Sequence, residues 1–146
     1  MLQLNGEVSV FSDVTPEPDI ANLDKVLAAA EATQAELIVG FGGGSAMDLA
    51  KLAAVLAGSR QTLREVVGPN KVQGPRKVAL AQVPTTSGTG SEAGIRALVT
   101  DPETKAKLAV ESLHMLADIA VIDPSLTFSV PARTTAATGV DAMAHC

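Results

Sequence analysis

Tryptophan and tyrosine are absent from the 146 residues, and phenylalanine occurs only three times. Single-stranded nucleic-acid binders stack bases on aromatic side chains, so that class is disfavoured. The core must be built from Leu, Val, Ile and Ala, as in layered α/β proteins. Cysteine occurs once, as Cys146, so no internal disulfide forms. Basic residues number 11 against 16 acidic ones, the net charge is −5, and no basic run occurs. A nucleic-acid partner is therefore not expected. No apolar run approaches the ~20 residues of a membrane span. Met1 to Val10 lacks a basic start followed by an apolar stretch, so it does not read as a secretory signal. A cytoplasmic protein with no membrane partner is the expectation.

What is present is an apolar content of 47%, enough for one domain with a real core. The chain is organised around Leu37 to Lys51. Leu37, Ile38 and Val39 form a short apolar run, the mark of a buried strand. Gly42, Gly43 and Gly44 cannot prolong a stable strand, and they let another molecule approach the main chain. Ser45 then reads as a helix N-cap with Asp48 as its acidic partner three residues on. Leu49, Leu52, Ala53 and Leu56 keep one apolar face, and Gly58 ends the helix. Strand, glycine turn and helix leave free N–H groups and a positive dipole end that suit a phosphate. A plain αβ junction in need of a tight turn explains the same three glycines equally well.

Taken in order, Glu7 to Val14 alternates weakly and predicts a first strand. Thr15 to Pro18 is a turn. Asp19 caps a helix with Ile20, Leu23, Val26, Leu27 and Ala30 on its apolar face. After the central strand and helix comes a short helical candidate over Thr62 to Val67. Val78 to Val83 is a further strand, ended by Pro84. The alternation predicts an α/β fold with a parallel sheet and helices on its faces. Ligands of such sheets bind beyond the carboxyl ends of the strands. Two loops leave those ends, Gly42–Ser45 and Pro84–Glu92. The second carries Thr85, Thr86, Ser87, Thr89 and Ser91 with Gly88 and Gly90. It reads as a polar cradle for a cofactor, although such residues are also ordinary in loops. Ile95 to Val99 and Lys105 to Val110 predict a β-hairpin. Ile119 to Ile122 predicts a last strand, ended by Asp123-Pro124.

Ser129 to Cys146 predicts a helix in which Ser129 caps and Pro131 sits in the first turn. Beyond Arg133 its chargeable side chains are Asp141 and His145, beside the Cys146 thiol. A helix without a clear polar face belongs inside a larger protein. Asp141 and His145 are four apart, a spacing that places a carboxylate and an imidazole on one helix face. Such a pair holds part of a divalent-metal site or, more commonly, is a weak surface ion pair. Zinc and iron need three or four protein ligands, and nothing in the spacing brings His114 to His145.

The ordered set Gly-Gly-Gly-Ser-x-x-Asp-x-x-Lys (42–51), Pro-Thr-Thr-Ser-Gly-Thr-Gly-Ser-Glu (84–92), Lys107, Asp-Pro-x-Leu (123–126) and Thr-Gly-Val-Asp-Ala-Met-Ala-His (138–145) resembles the iron-containing (group III) alcohol dehydrogenase family. The resemblance implies a partial Rossmann-like, dehydroquinate synthase-like sheet with flanking helices and one hairpin. It implies an α/β domain over residues 1–128 and the first helix of an all-α, metal-binding domain over 129–146. It implies metal-dependent hydride transfer between NAD or NADP, NAD favoured, and a small alcohol, aldehyde or ketone. Gly43, Gly44 and Ser45 would hold the pyrophosphate. Thr85, Thr86 and Thr89 would line the adenosine and ribose side, with Leu126 also at the cofactor, and Lys107 would bond a ribose. Asp48 would lie near the nicotinamide, as the catalytic candidate. Asp141 and His145 would be two of four ligands to a divalent ion, iron first and zinc second. The parent enzyme would be a homodimer.

Two departures bear on these expectations. The family's two remaining histidine ligands lie further along than Cys146. Glu17 stands where the family usually has an asparagine at the cofactor. The chain therefore reads as an internal piece of a family member, inactive alone. A non-catalytic nucleotide-binding module and a glycerol dehydrogenase-like enzyme of the same fold remain as alternatives.

Overall fold

The computed structural model describes residues 6–144. In chain order its elements are α1 (Ile20–Ala32), β1 (Leu37–Gly42), α2 (Gly44–Leu56), the single turn α3 (Leu63–Val66), β2 (Gly68–Pro69), β3 (Ala79–Pro84), β4 (Arg96–Thr100), β5 (Lys107–Glu111), β6 (Ile119–Ala120) and α4 (Ala132–Ala144). Short 3-10 turns cover Leu113–Met115 and Pro124–Thr127. The strands form two three-stranded sheets. In the first, β3 lies between β1 and β6, all parallel. In the second, β5 pairs antiparallel with β4 and parallel with β2. The expected hairpin is therefore present, but it belongs to its own sheet rather than to the parallel one.

Helix α2 lies between the two sheets, and its composition explains why. Nine of its thirteen residues are buried, and a helix that is apolar nearly all round must be covered on every side. Ala50 and Ala54 meet Leu80 of β3. Their small side chains allow close approach to the parallel sheet. Leu49, Leu52, Val55 and Leu56 face the other way, into a cluster with Leu23, Val66, Ala97, Val99, Val110 and Met115. Burying each of those leucines is worth about 1.5–3 kcal/mol. The helix ends at Ala57, followed by Gly58 at φ +64°. Asp19 caps α1 by accepting from the Asn22 N–H at 2.8 Å.

Three expectations need correction. Glu7 to Val14 forms no strand, and Val8 and Val10 are exposed. Alternation alone does not make a strand without a neighbour to pair with and a face to bury. The end of that segment is instead pinned by Asn22, which donates to the Asp13 carbonyl at 2.6 Å and accepts from the Thr15 N–H at 3.2 Å. Strand β1 runs on to Gly42, because Gly42 still registers with Pro84 of β3. The cap of α2 is Gly43 rather than Ser45, which lies two residues further on.

Arg76 ties the parallel sheet to the segment before β6. It donates to the carbonyls of Val78, His114 and Leu116 and to both carboxylate oxygens of Asp118, all within 3.0 Å. Asp118 also accepts from the Leu80 N–H at 2.8 Å. The Arg76 guanidinium, then the Leu80 N–H, pull the Asp118 carboxyl from 3.8 down to about 2. A carboxyl depressed in the folded state stabilises the fold above its unfolded value and loses that contribution as pH falls. We expect the loss between pH ~4 and ~2, and a small one, because the carboxylate is half exposed. The stability difference between wild type and Asp118→Asn, followed by urea unfolding, should shrink across that window.

Candidate functional site

Because β1, β3 and β6 are parallel, their carboxyl ends share one edge. That edge carries the glycine turn after β1, the threonine loop after β3 and the Pro124–Thr127 turn after β6. The main chains of the first two meet directly, where the Thr85 N–H donates to the Gly42 carbonyl at 2.8 Å. Gly42 has φ +150°, a conformation that bars other residues.

Glycines at 43 and 44 leave a gap that side chains would fill. A Cβ on Gly43 would lie 3.4 Å from Thr86 Cγ2, and one on Gly44 would lie 3.5 Å from Thr89 Cγ2. Gly43 supplies no side-chain cap, and the first intrahelical bond runs from Met47 N–H to the Gly43 carbonyl. The N–H groups of the first turn of α2 thus have no acceptor within the helix. They lie at the positive end of its dipole. Beside them, Thr86 Oγ1 is buried with no hydrogen-bond partner among the described residues. A buried hydroxyl left unpaired costs free energy. Free N–H groups, a side-chain-free gap and an unpaired hydroxyl fit the phosphates and hydroxyls of a dinucleotide.

Asp48 and Lys51 sit on the face of α2 that meets the far end of the threonine loop. Asp48 Oδ1 accepts from Ser91 Oγ at 2.6 Å, and Oδ2 accepts from the Leu98 N–H at 3.0 Å. Lys51 is 1% exposed. Its ammonium donates to Ser91 Oγ and to the Arg96 carbonyl, each at 2.8 Å, and lies 3.5 Å from Asp48 Oδ1. Burial lowers the Lys51 pKa, and Asp48 opposes that shift. The sequence reading used Lys51 only as a motif letter and did not single out Ser91. A usable signal existed: Asp48 and Lys51 are the only charges in a helix otherwise free of them.

The remaining expected residues divide in two. Leu126 stands in the turn after β6, half-buried, on the same edge as the glycine turn. Lys107 opens β5 and forms an ion pair at 3.1 Å with Glu17, so the expected ribose ligand and the residue in place of the usual asparagine meet each other. Asp141 lies exposed on α4, and His145 falls outside the described residues. No three His, Cys, Asp or Glu side chains gather to hold a metal among the described residues. One described candidate ligand does not make a metal site. No described helix is long and apolar enough to cross a membrane.

Gly88 seats α4 against the threonine loop. It has φ +137°, and an added Cβ would lie 2.6 Å from the Thr138 carbonyl carbon of α4. The obstacle is backbone, so it cannot rotate aside. A Gly88→Ala chain must move either the loop or the helix. We expect a loss of about 1–3 kcal/mol and faster amide exchange over residues 132–144, with β1 and β3 amides unchanged.

A parallel sheet with a glycine turn and a polar loop at its carboxyl edge is the architecture of the open α/β proteins, in which that edge is where ligands bind. Comparison with known proteins places it more narrowly. The family model described as iron-containing alcohol dehydrogenase matches residues 1–124, and the chain belongs to that family. It is 43% identical over 140 residues to long-chain-alcohol dehydrogenase 1 of Geobacillus thermodenitrificans, covering 94% of this chain and 35% of that protein. A crystal structure of 1,3-propanediol oxidoreductase superposes with a TM-score of 0.90 at 35% identity, covering 95% of this chain and 36% of that one. Sulfoacetaldehyde reductase from Bifidobacterium kashiwanohense, solved in complex with NAD+, superposes with a TM-score of 0.85 at 34% identity, covering 92% and 36%. The chain thus spans about a third of the length of each of these three relatives.

Proposed function

We propose that this chain is the dinucleotide-binding part of an NAD-dependent dehydrogenase acting on a small alcohol or carbonyl compound. The observation that carries the reading is the gap between Gly43–Gly44 and Thr86–Thr89, lined by free N–H groups and the unpaired Thr86 hydroxyl. Gly43, Gly44 and Ser45 bind the pyrophosphate through main-chain N–H groups at the positive end of α2. Thr85, Thr86 and Thr89 donate and accept along the adenosine and ribose side, with Leu126 packing nearby. Lys107 reaches a ribose hydroxyl once it shares or leaves Glu17. When bound, the nicotinamide supplies the hydride acceptor or donor, and the protein's part is to orient it. The NAD+ complex of a relative supports NAD as the favoured nucleotide. Asp141 and His145, four apart in sequence, are the residues from which two metal ligands would come, with iron favoured over zinc.

Titration of NADH, followed through the ligand's own fluorescence, tests this. Among the described residues one wall of the cradle is built, so binding should be weak. A high-micromolar to millimolar constant is expected, or about −4 to −6 kcal/mol. Gly44→Val should abolish binding by filling the gap. No binding by the wild-type chain, or equal binding by Gly44→Val, would refute the reading. Elemental analysis of chelator-free protein beside an alcohol-plus-NAD assay tests the metal: no stoichiometric iron or zinc, and no hydride transfer, are expected from this chain alone.

A further inference from the structure

The threonine loop must stand at a fixed height over the glycine turn, yet it is rich in residues that hold no fixed shape. Gly88 and Gly90 both have positive φ. Between the single main-chain bond at Thr85 and the start of β4, the loop's firm anchor on α2 is polar. Ser91 Oγ donates to Asp48 at 2.6 Å and accepts from the Lys51 ammonium at 2.8 Å. The same ammonium donates to the Arg96 carbonyl, and the other Asp48 oxygen accepts from the Leu98 N–H. Lys51 and Asp48 thus hold both the loop and the strand that follows it.

The anchor is connected to the cradle. The Ser91 N–H donates to Thr89 Oγ1 at 3.4 Å, and the Thr89 methyl group is the one that faces Gly44. Apolar packing alone would cover this face of α2 without any charge. Burying an ammonium is expensive unless its partners are fixed, and here the partners are the loop itself. Lys51 has three donors, and the loop serine, the Arg96 carbonyl and Asp48 take one each. With its partners complete the cluster is rigid, whereas half-satisfied it would be costly.

We propose that Lys51, Asp48 and Ser91 form a buried clamp that sets the height of the threonine loop over the glycine turn, making Lys51 and Ser91 positioning residues for dinucleotide binding. The proposal rests on the dinucleotide reading above. It assigns the charged letters of the Gly-Gly-Gly-Ser-x-x-Asp-x-x-Lys motif to the loop rather than to the ligand.

The test is NADH affinity of Ser91→Ala, Ser91→Thr and Lys51→Met, each compared with wild type well below its melting temperature. Ser91→Ala should raise the dissociation constant about tenfold, the effect of one misplaced hydrogen-bonding wall. Ser91→Thr keeps the hydroxyl and should bind within about threefold of wild type, where a merely structural serine would show no such rescue. Lys51→Met keeps the stem and should weaken binding at least as much as Ser91→Ala. Unchanged affinity in Ser91→Ala overturns the clamp, whatever happens to its melting temperature. So does equal weakening in Ser91→Ala and Ser91→Thr. A wild-type chain that does not bind NADH overturns the dinucleotide reading and the clamp together, whereas a binding wild type with an indifferent Ser91→Ala overturns the clamp alone.

Discussion

A Leu52→Ala chain is expected to lose about 3–5 kcal/mol of stability. Leu52 is fully buried on α2, in the cluster that joins that helix to α1, β4 and β5. Removing its three outer carbons forfeits their transfer free energy and leaves a cavity whose walls come from four elements. Those walls cannot all move inward at once, so the cost should lie in the upper part of the known range. A domain of this size has only about 5–15 kcal/mol to lose. Phe128→Ala provides the contrast, because Phe128 is 83% exposed. Its loss should stay within about 0.5 kcal/mol. Urea unfolding of the three proteins gives both values, and comparable losses would mean that the core lies elsewhere.

The second large effect is expected at Gly40. It is buried in β1, and an added Cβ would lie 2.8 Å from Ala50 Cβ and would collide with Gln82 Oε1. Ala50 is fixed on α2, so relief must come from Gln82. Gln82 is itself held, because its Nε2 donates to the Met47 carbonyl at 3.0 Å. Its Oε1 is buried without a hydrogen-bond partner among the described residues. Gly40→Ala should therefore cost about 3 kcal/mol, the upper end of overpacking losses. Gln82→Ala opens the space, so the double variant should be more stable than the sum of single losses predicts, by at least ~1 kcal/mol. Additive losses would show that α2 shifts as a whole instead.

The helices and the central strands were legible because their signals are local. Asp19 precedes a run with helical period, and Thr62 stands three residues before Glu65, whose side chain closes a capping box. Leu37–Val39 and Val78–Val83 are short apolar runs bounded by glycine or proline, although β1 is not the buried strand its run suggests, since Leu37 and Val39 are exposed. What depends on partners distant in sequence was not legible. The pairing of Gly68–Pro69 with Val110–Glu111 has no sequence signal, because two residues carry no period. The assignment of strands to two sheets follows from α2 being apolar on both sides, which composition shows only once the neighbours are known. Ser45 was read as a cap because serine has the chemistry for it. Gly43 takes the position instead, with extended backbone and no side-chain cap bond.

At the candidate site, the glycine turn and the threonine loop were readable as motifs, and the structure brings them together at one sheet edge. The cluster of Lys51, Asp48 and Ser91 was not readable as a unit, since Ser91 lies 40 residues from Lys51 and 43 from Asp48 and the contact depends on burial. Gly88 was visible as a loop glycine, but not as the seat of Thr138 on α4.

The most direct test of the dinucleotide cradle is the map of backbone amide shifts as NAD+ is added to the isotope-labelled chain. The predicted result is a set of progressive shifts confined to Gly42–Ala46, Thr85–Ser91 and the turn at Leu126, with Gly43 and Gly44 largest. Shifts centred instead on the polar hollow at Arg60, Asn70 and Lys71, with Gly43 and Gly44 unmoved, would contradict it.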